Sequence, residues 1–119
     1  MKIEALYKNG WSIWKPFPDP KKKEYLCAPI GCGVYQLRNV KTDEFVLFGR
    51  SKHVAYRMSS LLPSGPGTRN NVKKRKYVAE NLPYIKYRTI ALNSEKETRT
   101  FEAFVKKQEA YIFHEKTRK

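Results

Sequence analysis

The chain has 119 residues and a formal net charge of +14, from 25 Lys and Arg against 11 Asp and Glu. This length is typical of one domain with a single core, and the charge favours a polyanionic partner, nucleic acid first. A membrane partner is not expected, because the sequence shows neither a basic amphipathic helix with a broad apolar face nor the roughly 20 apolar residues that cross a bilayer. The first residues do not lead into a signal peptide, so we expect a cytoplasmic protein.

Residues 1–32 contain Trp11, Trp14 and Phe17 together with four prolines. Proline interrupts helices, so this composition disfavours a regular helix and predicts an extended arm packed over the core. Cys27 and Cys32 have no second pair of cysteines or histidines at zinc spacing, so we expect free thiols. His53 and His114 form no local metal motif, and surface positions are expected for both.

A β-hairpin follows the arm. Residues 34–38 and 44–48 have the composition of strands, and Lys41, Thr42 and Asp43 lie between them as a turn. A helix is predicted next, because residues 54, 58, 61 and 62 form one apolar stripe. Arg57 lies at the border of this stripe, where a long side chain can bury its stem and direct its charged head into a cleft.

The segment 63–67 contains two prolines and two glycines and ends this helix. A second helix is predicted around residues 73–76, which are all basic. One interpretation of Lys73, Lys74 and the two basic residues after them, together with Arg69, is a phosphate-binding surface next to the cleft. The other is an exposed helix that lysine keeps soluble.

Residues 85–92 predict the third strand, since they are rich in β-branched and aromatic side chains. Ser94 and Glu97 form a Ser-x-x-Glu capping box that starts the last helix. Glu102 lies among the apolar residues of that helix, an unusual place for a carboxylate unless a cation is near. It is the residue we choose as a metal ligand, whereas Glu109 reads as a solvated charge.

Taken in order, these pieces resemble the GIY-YIG nuclease superfamily over roughly residues 33–113. The sequence GVY at 33–35 matches the first signature, and LFG at 47–49 aligns with the second. Arg57 fits the family arginine, and Glu102 fits the family glutamate. The resemblance implies an α/β (α+β) fold with a small three-stranded antiparallel sheet flanked by helices. It places the nuclease-like domain at 33–119, after the arm at 1–32.

The resemblance also implies a metal-dependent endonuclease that hydrolyses DNA phosphodiesters with one divalent cation, Mg²⁺ or Mn²⁺. Tyr35 would take part in activating the attacking water, although a phenol with a pKa near ~10 needs a neighbouring cation to act as a base. Arg57 would hold the scissile phosphate, and Glu102 would anchor the metal ion. Arg50 and Lys52 are the candidates for further phosphate stabilisation.

Departures from the family pattern leave alternatives open. Leu47 stands where the family usually has a tyrosine, Leu61 stands where several members carry a histidine or tyrosine, and the asparagine near the end of the domain has no counterpart. The site therefore cleaves as it stands, uses another tyrosine such as Tyr56 or Tyr87, or only binds nucleic acid.

Each site residue also has a structural alternative: Tyr35 as a core aromatic, Arg57 as the ion-pair partner of Glu102, and Gly49 as a strand end. A third class of function is a protein-interaction module that uses Trp11 and Trp14. No separate recognition domain is visible, so strong sequence specificity would require a homodimer or a partner protein.

Overall fold

The computed structural model describes residues 2–59, 61–62 and 72–113. The predictions for the segment 63–67, for Arg69 and for His114 lie outside these ranges. The α-helices in them are α1 (Ile3–Asn9), α2 (Val54–Ser59), α3 (Val72–Glu80) and α4 (Glu95–Gln108). The strands are β1 (Lys15–Pro16), β2 (Gly33–Asn39), β3 (Glu44–Ser51) and β4 (Ile85–Ala91). Within the described ranges, no helix is long and apolar enough to cross a bilayer.

The sheet has the order β1-β4-β2-β3, and every neighbouring pair is antiparallel. The α+β fold with an antiparallel sheet flanked by helices is confirmed, but the prediction of three strands is wrong. The fourth strand is β1, in which Lys15 pairs with Tyr87 and Pro16 pairs with Lys86. Proline is tolerated there because β1 is an edge strand, where an N–H donor facing solvent is not required. Its two residues have no alternating pattern that sequence reasoning could detect.

The β2–β3 hairpin is confirmed, and side chains around its turn stabilise it. The Asn39 side-chain oxygen accepts hydrogen bonds from the backbone N–H groups of Lys41 and Thr42 at 2.9 and 3.2 Å. Asp43 adopts a left-handed backbone conformation with φ 59°, which Asp tolerates better than most residues, and it pairs with Arg38 at 2.7 Å. The pairing shifts by one residue between Leu37 and Arg38, and beyond this irregularity Gly49 lies opposite Tyr35.

Both faces of the sheet are covered by apolar clusters. On one face, side chains of the sheet pack with buried residues of α2 and α3; the main members are Tyr35, Leu37, Leu47, Tyr87, Val54, Met58 and Val78. On the other face the sheet packs against α4, through Val34, Phe48, Ile90, Phe101 and Val105. Successive strand residues point to opposite faces, so a slip by one residue would exchange the two clusters.

The predicted capping box and apolar stripe are both confirmed. The Ser94 hydroxyl accepts a hydrogen bond from the Glu97 N–H at 3.1 Å, and the Glu97 carboxylate accepts one from the Asn93 N–H at 3.1 Å. Of the stripe after the hairpin, residues 54, 58 and 61 are buried and residue 62 is half-buried. The regular helix is shorter than predicted, because α2 ends at Ser59.

The prediction of an arm without a regular helix is wrong for its first residues, which form α1. All four prolines of the arm follow Lys15, so nothing prevents helix formation before them. Cys27 and Cys32 are free, as expected; Cys27 is exposed and Cys32 is half-buried.

An arginine of β4 holds the arm to the sheet. The guanidinium of Arg88 lies 4.3 Å from the ring centre of Trp11 and 4.6 Å from that of Trp14. Its Nε donates a 2.7 Å hydrogen bond to the side-chain oxygen of the fully buried Gln36. Burial lowers the pKa of Arg88 from its ordinary value. The group nevertheless stays charged at neutral pH and attracts both indole rings.

We expect Arg88→Met to lower the free energy of unfolding by about 2–4 kcal/mol, because its cation–π contacts with Tyr7, Trp11 and Trp14 and a hydrogen bond to a buried amide are lost together. Urea unfolding at neutral pH, followed by circular dichroism, measures the change. Arg99→Met, at an exposed position of α4, is the matched control and should change stability by no more than about 0.5 kcal/mol. Equal losses in the two variants would contradict a role for Arg88 in holding the arm.

Candidate active site

A polar cavity of about 360 Å³ lies at the C-terminal end of edge strand β3, beside α2 and α4. At the beginning of the same strand, the backbone N–H groups of Ile112 and Phe113 donate hydrogen bonds to Phe45 and Val46 at 3.1 and 2.8 Å. The residues that line the cavity are Tyr35, Gly49, Arg50, Ser51, Lys52, Arg57, Glu95 and Glu102.

The ring of Tyr35 reaches the cavity by lying over Gly49, its cross-strand partner. A Cβ atom at position 49 would lie only 2.6 Å from Cζ of Tyr35, and nearer still to its hydroxyl oxygen. Real Cβ atoms do not approach other atoms so closely, so glycine is required for this ring position. Tyr35 is 6% exposed: its ring belongs to the core and also lines the cavity.

Arg50 and Glu102 face each other across the cavity wall. Nε of Arg50 donates a 3.1 Å hydrogen bond to Oε1 of Glu102, and the two side chains are 38% and 25% exposed. Arg50 follows Gly49 on β3 and therefore points to the opposite face of the sheet, where α4 packs. The predicted cation near Glu102 is thus found, and this contact is made by Arg50.

Lys52 forms a looser ion pair with Glu95, at 3.9 Å, and Arg99 approaches the same carboxylate at 3.8 Å. Glu95 was not predicted as a site residue. It precedes Glu102 by seven positions, which is two helical turns, so both carboxylates lie on the face of α4 that borders the cavity. The spacing of seven residues from Glu102 could have identified it. An acidic residue in the first turn of a helix is also explained by favourable interaction with the helix dipole.

Backbone contacts at the start of α2 position Arg57. The carbonyl oxygens of Pro29 and Gly31 accept hydrogen bonds from Ala55 and Val54 at 2.8 and 3.2 Å. Nδ1 of His53 accepts one from the Tyr56 N–H at 3.1 Å, so this exposed histidine caps the helix. Arg57 lies on the exposed side of the helix and lines the cavity, as its position at the border of the apolar stripe predicted.

Comparison with known proteins identifies the fold. No family model and no curated protein matches the chain. A solved structure of the GIY-YIG N-terminal endonuclease domain of UvrC from Thermotoga maritima, bound to its catalytic magnesium, matches with 23% identity and a TM-score of 0.57. The match covers 81% of this chain and 97% of that domain. A point mutant of the same domain with its catalytic divalent cation gives 25% identity over the same shares, with a TM-score of 0.57. The chain has the GIY-YIG fold.

Positions 47 and 61, at which the sequence departs from the family pattern, lie in the apolar core of this fold. Leu47 is 1% exposed and Leu61 is 2% exposed, and both belong to the cluster beneath α2. Of the alternative tyrosines, Tyr87 exchanges hydrogen bonds with the backbone of Cys27 at 2.9 and 3.3 Å, and burial raises its pKa. Tyr56 is exposed. Among the described tyrosines, Tyr35 is the one that lines the cavity.

The predicted phosphate-binding residues are divided between two places. Arg50 and Lys52 line the cavity. Lys73 and Lys74 lie on α3, do not line the cavity, and are exposed and half-buried respectively. Lys73 and Lys74 therefore belong to a basic surface on α3 that is separate from the cavity.

The donor set of the cavity fits a hard divalent cation. Glu102 presents a carboxylate, Ser51 contributes a hydroxyl group, and neither cysteine lines the wall. In the described part of the chain, no group of three or more His, Cys, Asp or Glu is close enough to form a complete cage. Mg²⁺ suits such a site, because it commonly keeps several waters and is bound by one or two carboxylates and substrate phosphate oxygens.

We expect Gly49→Ala to displace the Tyr35 ring and to lower the free energy of unfolding by about 1–3 kcal/mol, because the new methyl group overlaps the ring. Chemical denaturation measures the loss. Gly31→Ala is the control, since a Cβ atom there meets no other atom within 4 Å. In a double-mutant cycle, Gly49→Ala should cost less in a Tyr35→Leu background than alone. Additive effects would contradict the proposed overlap.

Proposed function

We propose that the chain is a metal-dependent endonuclease that hydrolyses DNA phosphodiester bonds. The observation that carries the proposal is the meeting of Tyr35, Arg57 and Glu102 at one polar cavity of a GIY-YIG fold. The net charge of +14 supports a polyanionic substrate. The magnesium ion bound by the similar UvrC domain supports a divalent cation.

The proposed roles follow from the chemistry of each side chain. The guanidinium of Arg57 binds and neutralises the scissile phosphate, since its planar set of donors matches two phosphate oxygens. In its deprotonated form, Tyr35 accepts a proton from the attacking water through its phenolate oxygen. Arg50 and Arg57, which line the same cavity, are cations that favour the phenolate form.

Glu102 would hold the divalent cation, with Ser51 beside it. When bound, the cation supplies Lewis-acid stabilisation of the charge that develops on the phosphate. Lys52 adds a further positive charge at the same wall. With the phosphate held by Arg57 and Arg50, water attacks in line with the departing oxygen.

A catalytically impaired nucleic-acid-binding domain is the second candidate, and the burial of Leu47 and Leu61 favours it. These positions add apolar surface to the core rather than polar groups to the cavity. In that case the cavity and the basic face of α3 would bind phosphates without hydrolysis. The two candidates differ in whether a metal-dependent product forms.

We expect the wild-type chain to convert supercoiled plasmid DNA to nicked and linear forms in Mg²⁺ or Mn²⁺. Arg57→Gln and Glu102→Gln should each lower the cleavage rate by about 10²-fold or more, because each removes a charge that stabilises the transition state. Agarose gel electrophoresis over time, with EDTA as the metal-free reaction, measures the rates.

Glu44→Gln and Lys106→Gln are the controls, since each removes one charge from an exposed residue outside the cavity wall. Both should retain wild-type rates. DNA binding without any metal-dependent product, on branched as well as linear DNA, would contradict the endonuclease and support the binding domain.

We expect the basic face of α3 to contribute to DNA affinity through phosphate contacts. The Lys73→Gln/Lys74→Gln double variant should reduce the slope of log binding constant against log salt concentration by about 2, because each neutralised phosphate contributes roughly 0.9 to that slope. Fluorescence anisotropy with a labelled duplex measures it. Lys106→Gln/Lys107→Gln, at the C-terminal end of α4, is the charge-matched control. An unchanged slope in the α3 variant would show that Lys73 and Lys74 contact solvent and not DNA phosphates.

A further inference from the structure

Two groups that the proposed function assigns to different ligands are bound to each other. Glu102 is the carboxylate for the divalent cation, and Arg50 is a guanidinium for the DNA phosphate. In the structure, Nε of Arg50 donates a 3.1 Å hydrogen bond to Oε1 of Glu102. This pair is shorter and less exposed than the neighbouring Lys52–Glu95 pair, whose atoms are 3.9 Å apart.

Each ligand therefore competes with the ion pair. A carboxylate oxygen that accepts a hydrogen bond from a guanidinium offers less electron density to a cation, and the positive charge beside it repels that cation. A guanidinium that donates Nε–H to a carboxylate has fewer donors left for a phosphate, and the carboxylate repels that phosphate. Full binding of either ligand requires the two side chains to separate.

We propose that the Arg50–Glu102 ion pair couples the binding of the divalent cation to the binding of DNA. The first ligand to bind separates Arg50 from Glu102. The second ligand then binds without having to break the ion pair. By thermodynamic linkage, the two ligands must strengthen each other by the same factor. The inference rests on the proposed function, since it takes the cation and the DNA phosphate as the ligands of this cavity.

The pair lies at the boundary between solvent and the packed layer of α4, where ion pairs are stronger than at a fully exposed surface. We expect a coupling factor of about fivefold from the pair itself. The consequence for the protein is that DNA raises the affinity of the site for the cation, and the cation raises the affinity for DNA by the same factor. Lys52 cannot take the place of Arg50 in this coupling, because its ion-pair partner is Glu95.

The experiment measures Ca²⁺ affinity by calorimetry, for the full chain alone and for the chain saturated with a short DNA duplex, with a titration of the DNA alone subtracted. Ca²⁺ is the probe because it prefers oxygen ligands, and a denaturing gel checks that the DNA stays intact. In the wild type, DNA should raise the Ca²⁺ affinity. In Arg50→Gln, the free chain should bind Ca²⁺ more tightly than wild type, and the enhancement by DNA should be about fivefold smaller.

Lys52→Gln is the charge-matched control, because it removes one positive charge from the same cavity wall and leaves the Arg50–Glu102 pair intact. The Lys52 variant measures how the loss of any one positive side chain from the cavity wall changes the Ca²⁺ affinity. If the inference is correct, Arg50→Gln raises the Ca²⁺ affinity of the free chain more than Lys52→Gln does. If Arg50→Gln does not fold by circular dichroism, Arg50→Lys replaces it and should lose part of the coupling, since lysine keeps the charge but lacks the planar donors.

Equal enhancement by DNA in wild type and in the Arg50 variant would overturn the inference, as would equal effects of the Arg50 and Lys52 variants on the free chain. If Mg²⁺-dependent cleavage is still observed in that case, the proposed function stands without the coupling. If the chain binds no divalent cation with or without DNA, both the coupling and the metal-dependent function are overturned.

Discussion

The site depends on the close approach of the Tyr35 ring to Gly49, where any side chain would overlap the ring. This contact requires that Tyr35 and Gly49 lie opposite each other in the hairpin, which is the register observed. With that register, the next residue, Arg50, must point to the other face of the sheet. One cross-strand pair therefore determines which side chains can meet at the cavity.

The cavity uses both layers of the fold because it lies at the end of an edge strand. Tyr35 comes from the face that packs beneath α2, and Glu102 comes from α4 on the opposite face. Side chains from opposite faces can meet only where the sheet ends. Ile112 and Phe113 cover the beginning of β3 at Phe45 and Val46, so they protect that part of the edge strand from unwanted pairing.

Local sequence signals predicted the parts of the fold that depend on short-range interactions. The hairpin turn, the apolar stripe of α2 and the Ser94 cap each involve residues within a few positions of each other, and all three were recognised. Strand β1 was missed because it is defined by pairing with Tyr87 and Lys86, far away in sequence. Helix α1 was missed because the later prolines dominated the composition of the arm.

The distinction between short-range signals and long-range pairing also applies to the site. Family signatures identified Tyr35, Arg57 and Glu102 individually, and the structure places all three at one cavity. The sequence suggested Arg57 as an ion-pair partner of Glu102, and the hydrogen bond from Arg50 to Glu102 was not predicted. Predicting it requires the register of β3, because the register determines that the Arg50 side chain lies on the face that packs against α4.

The substitution at position 47 bears directly on the chemistry. Positions 47 and 49 lie on the same face of β3, and Leu47 packs opposite Leu37 in the apolar cluster. A tyrosine there would place a second phenol on the face that carries Tyr35. If the chain hydrolyses DNA as proposed, Tyr35 is the one described tyrosine at the cavity that could accept a proton from water. The proposed endonuclease and the binding domain therefore differ in whether Tyr35, with Arg50 and Arg57 lining the same cavity, is a sufficient base.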